Sequence, residues 1–110
     1  MRFLVTIDGS NVGAGMPPER IAQVREQMVV PGVEQLAQWE QEGRIHGGGF
    51  TGARGSVFVI EADSLEEVDQ LVTSLPHWGL VKAEVKPLIS MNSMLERARR
   101  ESRSLQERVR

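Results

Sequence analysis

Apolar residues recur along this chain with three different rhythms, and each predicts an element. Arg2–Asp8 (RFLVTID) is a short run of branched and aromatic residues closed by the turn-forming DGSN, which reads as a strand. Residues 9–18 (GSNVGAGMPP) form a Gly/Pro-rich loop. Pro17 and Pro18 suit the first turn of a helix, and Glu19 favours its N-terminal dipole. Ile21, Val24 and Met28 continue at helical spacing. Pro31-Gly32 is expected to break or kink this helix before Val33, Leu36 and Ala37 restore its apolar face as far as Gly43.

Arg44–Phe50 reads as a strand weakened by glycine, TGARG as a turn, and Ser56–Ala62 (SVFVIEA) as a strong strand. Ser64 and Glu67 form a capping box that opens a second helix with Leu65, Val68, Leu71, Val72 and Leu75 on its inner face. Pro76 ends it, and Val81–Leu88 alternates as a last strand. The order β-α-β-β-α-β predicts an α+β, ferredoxin-like fold with a four-stranded antiparallel sheet over residues 1–90.

Right-handed crossovers bring the loop Asp8–Pro18, the hairpin Gly48–Gly55 and the loop Pro76–Leu80 to one end of that sheet. That end is therefore the first place to look for a site. The central strands are apolar on both faces: Phe3, Val5 and Ile7 oppose Leu4, and Phe58 and Ile60 oppose Val57 and Val59. Two helices can cover only one face. A second copy of the same sheet is the expected cover for the other, giving a homodimer.

Composition then excludes several classes of chemistry. The absence of cysteine rules out disulfides, thiolate metal sites and a cysteine nucleophile, and there is no tyrosine to act as a phenolic acid. No run reaches membrane-spanning length and MRFLVTIDGS is not a signal peptide, so a cytoplasmic protein without membrane partners is expected. Residues 1–90 carry seven Lys/Arg against twelve Asp/Glu, so the body is acidic and nucleic acid is not the expected partner.

The segments LAQWEQEGRI, SVFVIEADSLEEVDQLVTSLP and AEVKPL together resemble the muconolactone isomerase family of small dimeric α+β barrels. The resemblance runs from Leu36 to Leu88: a helix ending in EG, an SVF strand, a Ser-capped helix ending in LP, and a final strand EV..L. It implies a dimeric α+β barrel and an enzyme that moves a proton between carbons of a small unsaturated lactone acid, without cofactor or metal. It assigns no catalytic residue position by position. The loop Gly9–Pro18, the triple glycine and the last twenty residues depart from the family pattern.

Two familiar motifs are present in letters only. The HGGG of residues 46–49 matches a lipase oxyanion loop, but the chain has no G-x-S-x-G and is far too short for that fold. Gly47, Gly49 and Gly52 satisfy G-x-G-x-x-G. That fingerprint needs a strand before it and a helix after it, the reverse of the order here. What remains is a hairpin poor in side chains, beside which a ligand or another backbone can approach closely.

His77, in LPHWGL, is the side chain best suited to proton exchange near neutral pH, with a partly exposed loop histidine as the plain alternative. Asp8 is the candidate carboxylate base, though DGSN is also ordinary turn chemistry. Asn11 and Arg54 are candidates to hold substrate oxygens, Trp78 and Gly49 to shape the pocket, and His46 joins them as a substrate-binding candidate. Glu61 and Glu84 are further carboxylates, and Trp39 is either a pocket wall or helix packing. His46 lies near the other end of the sheet, roughly 13–17 Å from the His77 loop at about 3.3 Å per residue. With no cysteine and no third histidine, no metal site and no cofactor are expected.

Residues 91–110 (MNSMLERARRESRSLQERVR) place Met91, Leu95, Ala98, Ser102, Leu105 and Val109 on a 4-3-4-3-4 seam and carry six arginines against three glutamates. The interspersed acids favour a solvated helix face over a nucleic-acid surface, and predict an arm that extends the homo-oligomer. The leading expectation is a cofactor-independent isomerase acting by proton transfer on a hydrophobic carboxylated or lactone-like substrate. A cofactor-free oxygenase or other tailoring enzyme on the same scaffold, or a non-catalytic ligand-binding or oligomeric module, remain the alternatives.

Overall fold

The computed structural model describes residues 1–109. Its elements are β1 (Arg2–Asp8), α1 (Pro18–Val24), a π-helical turn (Arg25–Val29), α2 (Val30–Gln41), β2 (Ile45–Gly49), β3 (Gly55–Glu61), α3 (Leu65–Thr73), a 3₁₀ turn (Trp78–Leu80), β4 (Lys82–Leu88) and α4 (Met91–Arg108). The sheet order is β2-β3-β1-β4, with every neighbouring pair antiparallel. This is the α+β, ferredoxin-like arrangement expected from the order of elements.

Register decides which side chains share a face. Phe3 lies opposite Ile60 and Val5 opposite Phe58, and all four are buried beneath the helices with Ile7 and Ile45. From the helices, Leu36, Trp39, Val68 and Val72 complete the core, joined by Leu75 just past the end of α3. Trp39 is thus core packing, with the Arg44 guanidinium 5.9 Å from its ring centroid. The other face carries Leu4, Thr6, Val57 and Val59, half-buried, and no helix covers it. Exposed Arg2, Glu61, Lys82, Glu84 and Lys86 surround this apolar centre.

Of the expected break or kink at Pro31-Gly32, no break occurs, and the irregularity there is a π turn. The helical path runs from Pro18 to Gln41, and the π turn before Pro31 accommodates the missing N–H: the Val30 N–H reaches back to the Arg25 carbonyl. The wider turn inserts one residue, so the inward face moves on by one position. Met28, expected on the apolar face, is 36% exposed, while Val24 before it is buried.

The capping box at α3 forms with one variation. Ser64 Oγ accepts from the Glu67 N–H at 3.1 Å, and the Glu67 carboxylate accepts from the N–H of Asp63 at 2.9 Å. A cap of this kind is worth about 1 kcal/mol. Among the described residues no helix is long and apolar enough to cross a membrane.

Candidate functional site

The three loops expected at one end of the sheet do meet there. Asp8 pairs with both Gly55 and Lys82, and the Gly9 N–H donates to the Arg54 carbonyl at 2.9 Å. From this end a cavity of about 430 Å³ runs in between sheet and helices. Ile7, Ile45 and Phe58 form its floor. Val29, Val33, Leu36 and Ala37 form the helical wall, with Arg25 and Glu40 along the same path. Gly9, Val12, Ala53 and Arg54 frame its mouth, and His77 and Val81 stand at its side.

Gly9, Gly48, Gly49 and Gly55 line this space, and glycine also lets the strands beneath it approach closely. A β-carbon at Gly47 would collide with the Val57 carbonyl oxygen and Phe58, and one at Gly55 with the Ile7 carbonyl oxygen. Gly52, at φ +71°, makes the hairpin turn. On the helical wall, a β-carbon at Gly32 would run into the His77 imidazole. The Pro31-Gly32 pair that suggested a helix break therefore leaves room for the histidine ring.

His77 is 4% exposed, the one buried polar or charged side chain among the described residues. Its Nδ1 has no hydrogen-bond partner. Burial pushes its pKa below the usual histidine value, because a charged imidazole would lose its hydration there. The ring is therefore neutral at pH 7, able to accept a proton and poorly able to keep it. The loop is held by its backbone: the His77 carbonyl accepts from the Leu80 N–H at 2.9 Å, and the Trp78 N–H donates to the Leu75 carbonyl at 3.0 Å. The alternative of a partly exposed loop histidine does not apply.

Of the sequence candidates, the cavity brings together His77, Arg54 and Gly49. Asp8 is exposed, outside the cavity lining, and its carboxylate accepts the Ser10 N–H at 2.9 Å. That bond holds its pKa below the ordinary value and closes a turn. Asn11 also sits in that turn, where its carbonyl accepts from the Ala14 N–H. Trp78 turns away and lines a second groove with Leu65 and Val72. His46 is exposed on the uncovered sheet face, opposite Val59, and Glu61 and Glu84 share that face.

Arg25, Glu40 and Ser56 line the cavity and were not anticipated. The π turn gives Val29 the inward place that unbroken α-helical spacing from Val24 assigns to Met28, with Arg25 on the same wall four residues before Val29. No group of three or more His, Asp or Glu residues is placed to hold a metal among the described residues.

The family model for muconolactone delta-isomerase matches residues 1–107. The chain belongs to that family. A crystal structure of muconolactone isomerase superposes with a TM-score of 0.61 at 23% identity, covering 82% of this chain and 90% of that one. A second solved structure is the 5-chloro-2-hydroxyhydroquinone dehydrochlorinase TftG from Burkholderia phenoliruptrix AC1100, in complex with 2,5-dihydroxybenzoquinone. It matches with a TM-score of 0.54 at 26% identity, covering 81% of this chain and 94% of that one. No curated protein matches the sequence. Family membership thus extends over more of the chain than the Leu36–Leu88 pattern that first suggested it.

Proposed function

We propose that the cavity is the active site of a cofactor-independent isomerase that moves a proton on a hydrophobic carboxylated or lactone-like substrate. The observation that carries this reading is His77: a buried, neutral imidazole in the wall of an otherwise largely apolar space, its Nδ1 packed against Gly32 without a hydrogen-bond partner. In this reading the imidazole removes a proton from a carbon beside the substrate carbonyl. The resulting negative charge moves onto the carbonyl oxygen, and His77 returns the proton at the far end of the conjugated system. Arg54 at the mouth, joined by Arg25, holds the substrate carboxylate. The apolar wall excludes water and favours a hydrophobic ring.

Membership of the muconolactone delta-isomerase family supports an enzyme on this scaffold, and the similarity to TftG supports a second outcome of the same first step. If the carbanion formed at His77 carries a leaving group on the neighbouring carbon, the electron pair expels it instead of reclaiming the proton. Muconolactone and a chlorinated hydroxyhydroquinone separate the two outcomes. Isomerisation of the first, with solvent deuterium incorporated into product, supports the isomerase. Chloride release from the second supports elimination. Inertness toward both, with ligands bound but unchanged, would identify a binding module.

The uncovered sheet face belongs to the same proposal. Leu4, Val57 and Val59 make an apolar centre rimmed by charges of both signs, Arg2 and Lys86 against Glu61 and Glu84, which suits a second copy of the same face. A homodimer is expected in sedimentation. A stable monomer at micromolar concentration would overturn the pairing.

A further inference from the structure

The C-terminal helix has an apolar face with nothing on it. α4 buries none of its residues, and Met91, Met94, Leu95, Leu105 and Val109 are all exposed. At 100° per residue these five, with Ala98 and Ser102, fall within a stripe about 100° wide. The protein is 68 Å long with a radius of gyration of 18.7 Å, against about 13 Å for a compact domain of this length, because α4 projects from the body. Ser90 starts the helix two residues after β4, its Oγ accepting from the Ser93 N–H at 3.0 Å. Arg97 pairs with Glu101 at 3.9 Å, whereas Arg99 and Arg103, on the other flank of the stripe, make no ion pair among the described residues.

A receiving surface lies on the opposite flank of the helix layer from the His77 cavity. Between α3 and β4 runs a groove of about 410 Å³ lined by Leu65, Asp69, Val72, Trp78, Ala83 and Val85. Leu65 is 51% and Trp78 46% exposed, although both are large and apolar. Its α3 side is acidic: residues 61–80 hold five Asp/Glu and no Lys or Arg, whereas the lysines of β4, Lys82 and Lys86, lie on the opposite face of the sheet from Ala83 and Val85. Asp69 lies in the groove, Glu66 beside it on α3, and neither makes an ion pair among the described residues.

We infer that the α3–β4 groove receives the α4 helix of a second copy of this chain. The apolar stripe around Leu95 and Ala98 lies on Leu65, Val72 and Trp78, and Arg99 and Arg103 meet Asp69 and Glu66. Charge complementarity selects this occupant: a basic helix with an unpaired arginine flank fits an acidic groove, whereas two α4 helices side by side bring like charges together. The contact is independent of the chemistry in the cavity. It gives Trp78, beside His77 in sequence, a role outside the site.

The absence of cysteine makes the test direct. Leu65→Cys and Leu95→Cys are prepared as separate proteins, mixed and oxidised, with Ser104→Cys on the far side of α4 as control. The expected product is a disulfide joining a Leu65→Cys chain to a Leu95→Cys chain. It should be at least about tenfold more abundant than a disulfide between two copies of either variant, or any link to the Ser104→Cys control. Adding Asp69→Arg and Glu66→Arg to the Leu65→Cys chain is expected to reduce it about tenfold. Arg99→Glu and Arg103→Glu on the Leu95→Cys chain are expected to restore it. A dominant disulfide between two Leu95→Cys chains would assign α4 to pairing with itself. A link formed only within one chain carrying both substitutions would assign the helix to its own groove. Either result, or no link above the Ser104→Cys control, overturns the proposal.

Discussion

α3 and the α1–α2 path cover the same sheet to opposite effect. α3 delivers Val68, 0% exposed, and Val72 into the cluster around Phe3 and Val5, and the sheet centre beneath it is sealed, with only the α3–β4 groove left open at its outer edge. The α1–α2 path is more than twice as long, yet only Leu36 and Trp39 of α2 reach the core cluster. Val29, Val33 and Ala37 face a cavity. The sealed half has a regular helix with a capping box. The open half has a π turn, a proline, Gly32 on the helix and the glycine hairpin below. The cavity thus arises where side chains are absent and helical register is shifted, with no missing element to explain it.

The contrast can be broken most sharply at His77. His77→Ala, and His77→Gln as the closer mimic in size, are expected to lower kcat/KM by about 10²–10⁴-fold, the range for a lost acid–base group. Circular dichroism should stay native. Full turnover by His77→Gln would leave the open half without its chemistry. On the sealed half, Phe3→Ala is expected to cost about 3–5 kcal/mol in urea unfolding, whereas Val33→Ala, on the half-exposed cavity wall, should stay within about 0.5 kcal/mol. Equal losses would show that the cavity closes in solution.

Smaller effects sharpen the same boundary. Gly32→Ala is expected to cost about 1–3 kcal/mol by overpacking the His77 ring, and to lower kcat more than it raises KM. Arg54→Gln is expected to raise KM for a carboxylated substrate roughly tenfold, about the worth of one charged hydrogen bond, and to leave unfolding unchanged. The smallest effect is in pH. Because burial lowers the His77 pKa, the unfolded chain binds more protons than the folded one just below about pH 6.5. Stability should therefore fall as pH drops from about 6.5 toward the folded pKa, and His77→Gln should flatten that slope. An unchanged slope in His77→Gln would remove the assigned cause.

Much of this protein was legible one residue at a time. The branched and aromatic runs RFLVTID and SVFVIEA predicted β1 and β3 to within a residue, and Ser64 with Glu67 placed the start of α3. The order of the elements placed three loops at one end. Arg54 and Gly49 were findable because a hairpin position is a local property. The π turn was not legible, since proline reads as a stop unless the preceding turn widens, and with it went the outward shift of Met28 and the inward turn of Val29. Trp78 and His77 are neighbours in sequence, but the turn between Leu75 and Leu80 sends them to different grooves.

The sequence by itself determined what local chemistry controls: which segments become strands and helices, where caps and turns fall, and which faces are apolar. It also excluded thiol chemistry outright, left the HGGG string without the G-x-S-x-G a lipase needs, and showed that G-x-G-x-x-G stands in the wrong order of elements. Only the tertiary structure decided that Gly32 and His77 share one volume, that Asp8 closes a turn outside the cavity, and that Gly48 and Gly49 line the space beneath α2. Those outcomes depend on contacts between segments far apart in sequence, which a neighbouring residue cannot report. A glycine says that a side chain is missing; what fills its place is settled when the helix comes to lie across the sheet.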